Sequence, residues 1–378
     1  MARPVLLVAA VALVSACGTR DAVTMAVALL PAELPAYRAV LADFEAATGT
    51  RVVVVPQQYA DIRRALAAEA AGGRGTLDLV ELDVYSLAPA AREVARLEPD
   101  DLGEVFPALA PAAVRAGTID GLRFVPHRLT WQALVYDHDV LPRPPATWEE
   151  LLAVARAHPG KIGLKGALYE GLTCDVLPFV WAAGGKGDVL DDDGAIAAFR
   201  LFAELAPYLH PGSATFKEPT IADAMARGEL VLHLNWPFTL SLFASQGLAP
   251  NPIRSAPLPR GPAGRATVLG GGYLALPRNA PHRAAALALV RHLLGRDVQA
   301  RLARELGWFS ARRDVAVGGD GLFAGFAAMG HHARPRPERA DYGAISRAWQ
   351  QAFRTVVFEH ADAATTLHAA AARAAEQP

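Results

Sequence analysis

Val40-Leu41-Ala42-Asp43-Phe44-Glu45-Ala46-Ala47-Thr48-Gly49, followed shortly by Val52-Val53-Val54-Val55, is where the fold of this chain can first be read. Tyr37, Val40, Leu41 and Phe44 fall at i, i+3, i+4 and i+7, the spacing of one face of a helix. Gly49 ends that helix, because glycine tolerates the left-handed conformation of a C-terminal cap. The β-branched run that follows has the pattern of a strand buried on both faces of a parallel sheet. Working outward, Val23–Leu30 is a second short apolar run. A helix through Ile62, Ala65, Leu66 and Glu69 stops at Gly72-Gly73, and Leu77–Leu82 is the next strand. Strand and helix alternate, so the spacing predicts a βαβ sheet with right-handed crossovers.

Further along, Asp120-Gly121 between Ile119 and Leu122 signals a hairpin turn. Phe124 to Tyr136 reads as extended throughout. Thr147 and Glu150 form a capping-box pair that opens a helix. Helical patterns follow at about 171–183, 194–206, 219–227 and 237–245, with Asp193 as the N-cap of the second. Strands are expected at Leu230–Leu234 and Thr267–Leu276. The last third is mostly helical, with Ile345, Trp349, Phe353 and Val356 on one stripe. No internal repeat occurs. A chain of 378 residues exceeds the roughly 250–300 at which one core stops growing, so two cores are expected.

The N-terminus carries Arg3, an apolar run Val5–Val14 and then Ser15-Ala16-Cys17. That is a secretory signal, too short to span a bilayer. Val14-Ser15-Ala16-Cys17 resembles the lipobox of bacterial lipoproteins. The resemblance implies cleavage of residues 1–16, lipidation of Cys17 and a short tether over 17–22. Cys174 is the only other cysteine, and without a nearby histidine it reads as a buried, inert thiol. Lys and Arg total 37 against 38 Asp and Glu, which argues against a nucleic-acid partner.

Candidate reaction motifs fail on spacing. Gly270-Gly271-Gly272 has no lysine, and Gly184-Gly185-Lys186-Gly187 lacks the upstream glycine and downstream Ser/Thr of a phosphate loop. Asp191-Asp192-Asp193-Gly194 would put Val189 and Arg200 at calcium-ligand positions. No nucleophile elbow or zinc-binding helix is present, and nothing calls for a cofactor or metal. What remains is a set of aromatic and polar residues at strand ends and loops. Trp131, Trp181, Trp236, Trp308 and Tyr273 could stack on the apolar C–H face of a sugar ring. Asp83, Tyr85, Arg128, Gln132 and Asn235 could bond its hydroxyls. In open α/β sheets ligands bind beyond the carboxyl ends of strands. Each Trp can equally be a core residue, and Trp148 and Trp349, on helices, are read as core.

Several segments in order resemble family 1 extracellular solute-binding proteins, the receptors of carbohydrate ABC importers. They are Val40–Gly49; Leu134-Val135-Tyr136-Asp137-His138-Asp139-Val140-Leu141 with Pro145–Leu152; Ala224–Glu229 leading to Asn235-Trp236; Gly271-Gly272-Tyr273-Leu274-Ala275-Leu276-Pro277; and Ala340-Asp341-Tyr342. The resemblance implies a two-lobed α/β fold of the type II periplasmic-binding-protein kind, with parallel-sheet lobes joined by hinge strands. Mapped here, residues 23–126 and 273–318 form lobe one, and 127–272 and 319–378 form lobe two. Phe124–Thr130 and Gly270–Tyr273 would be the crossings, where glycine can absorb rotation. It further implies a carbohydrate ligand, a di- or oligosaccharide, a membrane permease as partner, a monomer, and attachment to the membrane through lipid only, facing the periplasm or cell exterior. Leu30–Pro35 departs from the pattern: it has two prolines and no aromatic where many sugar binders place cleft contacts, which argues against a contribution from Glu33. Two other readings stay open: a secreted carbohydrate-active enzyme, which needs a carboxylate pair about 5–10 Å apart, and a receptor of this fold for a non-sugar solute.

Overall fold

The computed structural model describes residues 22–31, 33–73, 75–249, 251–316, 323–337, 339 and 341–375. The expected signal, Cys17 and most of the expected tether lie outside these residues; Ala22 belongs to the first strand. Eleven strands occur among the described residues: β1 (Ala22–Val27), β2 (Arg51–Pro56), β3 (Leu79–Asp83), β4 (Val125–Trp131), β5 (Ala133–Asp137), β6 (Ile162–Gly163), β7 (Leu232–Asn235), β8 (Ile253–Ala256), β9 (Thr267–Ala275), β10 (Phe309–Ser310) and β11 (Ala333–Arg334).

They form two sheets. The larger runs β10-β4-β9-β3-β1-β2, with β11 joined to β9; the smaller runs β6-β7-β5-β8. β2, β1 and β3 are parallel, as the alternation predicts. β9 is antiparallel to β3 and to β4, and β5 is antiparallel to β7 and β8, so both sheets are mixed. The reason is connectivity. A parallel neighbour needs a crossover connection, whereas β4 leaves for the other lobe and β9 returns from it, so β9 can run antiparallel to both β3 and β4. β2 differs from its expected full burial. It is the edge strand, and Val53 is 37% exposed while Val52 and Val54 are buried.

The cores show why there are two lobes. In lobe one, Val23, Met25 and Val27 of β1 pack on one side of the sheet with Phe44 and Leu289. Ala26 packs on the other with Ile62, Leu82 and Tyr273. This is the two-residue alternation of a strand. Lobe two has one core around the helix Glu170–Ala182, which is apolar nearly all round and buried from Gly171 to Ala182. A helix without a polar face belongs inside. Phe199, Phe202, Trp349 and Phe353 pack in the same core.

Three segments pass between the cores. Val125 lies in the first core and Trp131 in the second. On β9, Val268 and Leu269 lie in the second and Leu274 in the first. β10 is the third, absent from the sequence reading: Trp308 packs in the first core and Phe309 in the second. The expected continuous strand 124–136 breaks at Gln132, between β4 and β5. The Asp-Gly turn forms as the spacing predicts: Asp120 and Gly121 have φ of 48° and 93°, closing a bridge from Thr118 to Leu122. Thr147 caps its helix, but Glu150 reaches back to the N–H of Ala146. Asp192, not Asp193, caps the helix after it, accepting from the N–H of Ala195.

Candidate functional site

A cleft of about 560 Å³ lies between the lobes, where the ends of β3 and β7 face the middles of β4 and β9. Lobe one contributes Leu30, Glu33, Tyr59, Asp83, Tyr85, Arg128 and Trp308. Lobe two contributes Tyr169, Glu170, Lys217, Glu218, Trp236 and Arg336. Gly270, Gly271 and Gly272 form part of its floor.

The lobe-one wall is built on Glu81, a fully buried carboxylate on β3. Arg128 donates to both its oxygens, through Nε to Oε1 at 3.1 Å and Nη2 to Oε2 at 3.0 Å. His127 Nδ1 lies 2.8 Å from Oε1. Neighbouring residues on a regular strand point to opposite faces. Here the register of β4 against β9 shifts between Pro126 and Arg128, and this bulge lets both side chains reach one carboxylate. Gly272 leaves the room: a Cβ there would lie 2.1 Å from Glu81 Oε1. Burial pushes the Glu81 carboxyl up, but Arg128 and His127 outweigh it and hold it below its ordinary value. The Arg128 guanidinium also donates to the hydroxyl of Tyr59 and the carbonyl of Ala28, and sits 4.1 Å above the Trp308 ring. Trp308 Nε1 in turn donates to Glu33 Oε1 at 2.7 Å.

In the lobe-two wall, Glu218 accepts from the Tyr169 hydroxyl (2.7 Å) and from Trp236 Nε1 (3.4 Å). Gly270 allows the half-buried Trp236 ring to lie against the floor; a Cβ there would sit 3.1 Å from Cζ3. Arg336 joins the lobes. It donates to Asp83 of lobe one at 2.8 Å and to Glu170 of lobe two at 3.0 Å, and lies 5.1 Å above the Tyr85 ring. Glu170 also accepts from Tyr342 and Ser346. The charges that line the cleft are thus largely paired with one another before any ligand arrives.

A family model described as bacterial extracellular solute-binding protein matches residues 39–321. The chain belongs to that family. It is therefore an exported protein. A curated relative, a "probable ABC transporter-binding protein" of Deinococcus radiodurans, is 29% identical over 288 residues, covering 67% of this chain and 66% of the relative, a little under two thirds of its length. Among solved structures, maltose-bound MalE3 of T. maritima is 26% identical, covers 95% of this chain and 100% of its own, and superposes with a TM-score of 0.83. A solute-binding protein of Thermotoga lettingae bound to α-D-tagatose is 22% identical, covers 94% and 99%, and also scores 0.83. The latter likeness, at that identity, shows the fold alone: two lobes of the type II kind.

Of the residues singled out from sequence, this solute-binding protein brings Asp83, Tyr85, Arg128, Trp236 and Trp308 to the cleft. The other five lie elsewhere. Trp131 is buried, stacked 4.2 Å from Phe309, with Nε1 donating to the carbonyl of Phe326. Trp181 is in the lobe-two core, its Nε1 bonded to the Lys186 carbonyl. Tyr273 points into the lobe-one core and donates to the carbonyl of Ala113. Gln132 is buried against Asp175. Asn235 is buried and accepts from the N–H of Trp236, shaping the strand end beneath that ring. Sequence reasoning missed Glu81, Glu218, Tyr169 and Arg336. Glu81 had a signal, a lone carboxylate inside an otherwise apolar strand, Leu79-Val80-Glu81-Leu82. Cys174 is buried, and burial pushes its thiol up, as befits an inert group.

Behind the lobe-two wall, His233 on β7 is fully buried. Burial and the nearby Lys165 charge lower its pKa from 6.5 to about 3. Above pH 6.5 the ring is neutral in both folded and unfolded states and contributes nothing. As pH falls from 6.5 toward 3 only the unfolded state takes the proton, so stability is lost. At pH 5, 1.5 units below 6.5, the loss from this one group is about 2 kcal/mol. Denaturant titrations at pH 7 and pH 5 are expected to show a stability drop smaller by that amount in His233→Gln than in wild type; equal drops would contradict the assignment.

Proposed function

We propose that this solute-binding protein is the substrate-binding receptor of an ABC importer, taking a di- or oligosaccharide in the inter-lobe cleft and handing it to a membrane permease. The observation that carries the reading is the cleft lining. Trp236, Tyr59, Tyr85 and Tyr169 offer aromatic surface, while Arg128 and Arg336 are paired with carboxylates, Glu218 is bonded to Tyr169, and Lys217 lies 5.3 Å above the Tyr169 ring. Such a lining suits a neutral, polyhydroxylated ligand with apolar ring faces better than an ionic solute, which would need an unpaired opposite charge. A volume of 560 Å³ falls in the range of small-ligand sites, about 300–1,000 Å³. Maltose in the structure of the 26% identical relative supports the same class.

In this reading residues 23–126 and 273–318 move against 127–272 and 319–378, except that His127 and Arg128 are bonded into lobe one and Phe309 packs in lobe two. β4, β9 and β10 are the hinges. Ligand favours closure only by binding the closed state more tightly. The protein works as a monomer, processed before Cys17 and tethered by lipid on that residue near its permease, which raises the effective concentration for docking.

Isothermal calorimetry with maltose, maltotriose and other neutral saccharides tests the ligand. The expected result is saturable 1:1 binding without turnover. Stabilisation by an amino acid, peptide or metal ion, with none by any saccharide, would refute the sugar assignment. Release of products from a bound saccharide would instead mark an enzyme.

A further inference from the structure

Lys165 follows β6 and is completely buried, an unusual place for an ammonium group. Its Nζ lies 2.9 Å from Asp175 Oδ1, close but off the hydrogen-bond axis, and 3.9 Å from Glu218 Oε1 in the cleft wall. Asp175 Oδ1 also accepts from Gln132 Nε2 at 2.7 Å. Gln132 is the residue between β4 and β5, and its N–H donates to Thr267 Oγ1 at 3.1 Å while Thr267 Oγ1 donates to the Gln132 carbonyl at 3.0 Å. Thr267 begins β9. One polar chain therefore runs from the lobe-two ends of two crossing strands, through Asp175 and Lys165, to Glu218, which holds Tyr169 and Trp236.

A buried ion pair contributes little net stability compared with apolar residues of the same size. Its effect here is local. The ammonium stands between the carboxylates of Asp175 and Glu218 and draws both toward one point. Without that charge nothing on the Lys165 side would hold the Glu218 carboxylate toward Tyr169 and Trp236.

We infer that Lys165 is a positioning residue of the ligand site: its buried ammonium keeps the Glu218 carboxylate aimed at Tyr169 and Trp236, and ties that wall to the crossing strands through Asp175 and Gln132. The inference rests on the cleft being the ligand site.

Lys165→Met leaves Asp175 uncompensated and can unfold the lobe, so the deciding variant is Lys165→Met/Asp175→Asn, which removes both charges. Two readouts are taken on the full mature chain. The first is the indole N–H resonance of Trp236, assigned by its loss in Trp236→Phe. The second is the dissociation constant for maltose and maltotriose. The double variant is expected to move the indole resonance and to weaken binding at least tenfold, with thermal stability close to wild type. In a Glu218→Gln background the same double substitution is expected to change neither readout further. An unmoved resonance, binding within twofold of wild type, or an undiminished effect in the Glu218→Gln background would overturn the inference. If the wild type binds neither saccharide, the carbohydrate reading fails, and the resonance alone decides the role of Lys165.

Discussion

Arg128→Met is expected to lower stability by about 3–5 kcal/mol, the cost of stranding one partner of a buried ion pair. Glu81 would keep His127, Tyr59 and the N–H of Ala28 but no arginine, in a place with no solvent exposure. The Trp308 ring would lose the cation above it, and Tyr59 its hydrogen-bond donor. For a unit of 150–250 residues each kcal/mol shifts Tm by roughly 2–4 °C, so calorimetry should show the lobe-one transition about 10 °C lower. Replacing both partners, Arg128→Met with Glu81→Leu, is expected to recover most of the loss, since apolar residues often substitute a buried pair at little cost. A single variant within 1 kcal/mol of wild type would mean that Glu81 is not held as described. A double variant no better than the single would mean that bulge geometry, not charge, is the source of the effect.

Trp236→Ala is expected to weaken saccharide binding by about 30- to 700-fold, corresponding to roughly 2–4 kcal/mol for truncating an anchoring aromatic. Trp236 combines the properties such an anchor needs. It lines the cleft half-buried, its Nε1 is held by Glu218, and Gly270 lets the ring lie close to the floor. The ring is therefore oriented before ligand arrives, and little ordering remains to oppose binding. Trp181→Ala supplies the contrast. It opens a cavity in the lobe-two core and is expected to lower Tm strongly while leaving the affinity of the folded protein nearly unchanged. Calorimetric titration and thermal unfolding of both variants separate the two cases. Equal losses of affinity would show that Trp236 acts through the fold and not through contact.

The sequence by itself determined the α/β class, the parallel start of the first sheet, the two cores and most helix boundaries. Periodicity reports which face of an element is apolar, and Val40–Phe44, Asp120-Gly121 and the stripe Ile345–Val356 carried that information locally. It also located the strand ends that hold Asp83 and Trp236. It could not say which tryptophans face ligand. Trp131 and Trp308 both sit on or beside crossing strands, yet one is packed against Phe309 and the other beneath Arg128. Whether an aromatic is core or cleft depends on partners far away in the chain, in its own lobe or in the opposite one. Glu33 meets Trp308 across 275 positions, and Asp83 meets Arg336 across 253. Periodicity is a local signal, whereas burial and pairing of charge in the cleft arise only when two lobes, each assembled from separated segments, close around the same space.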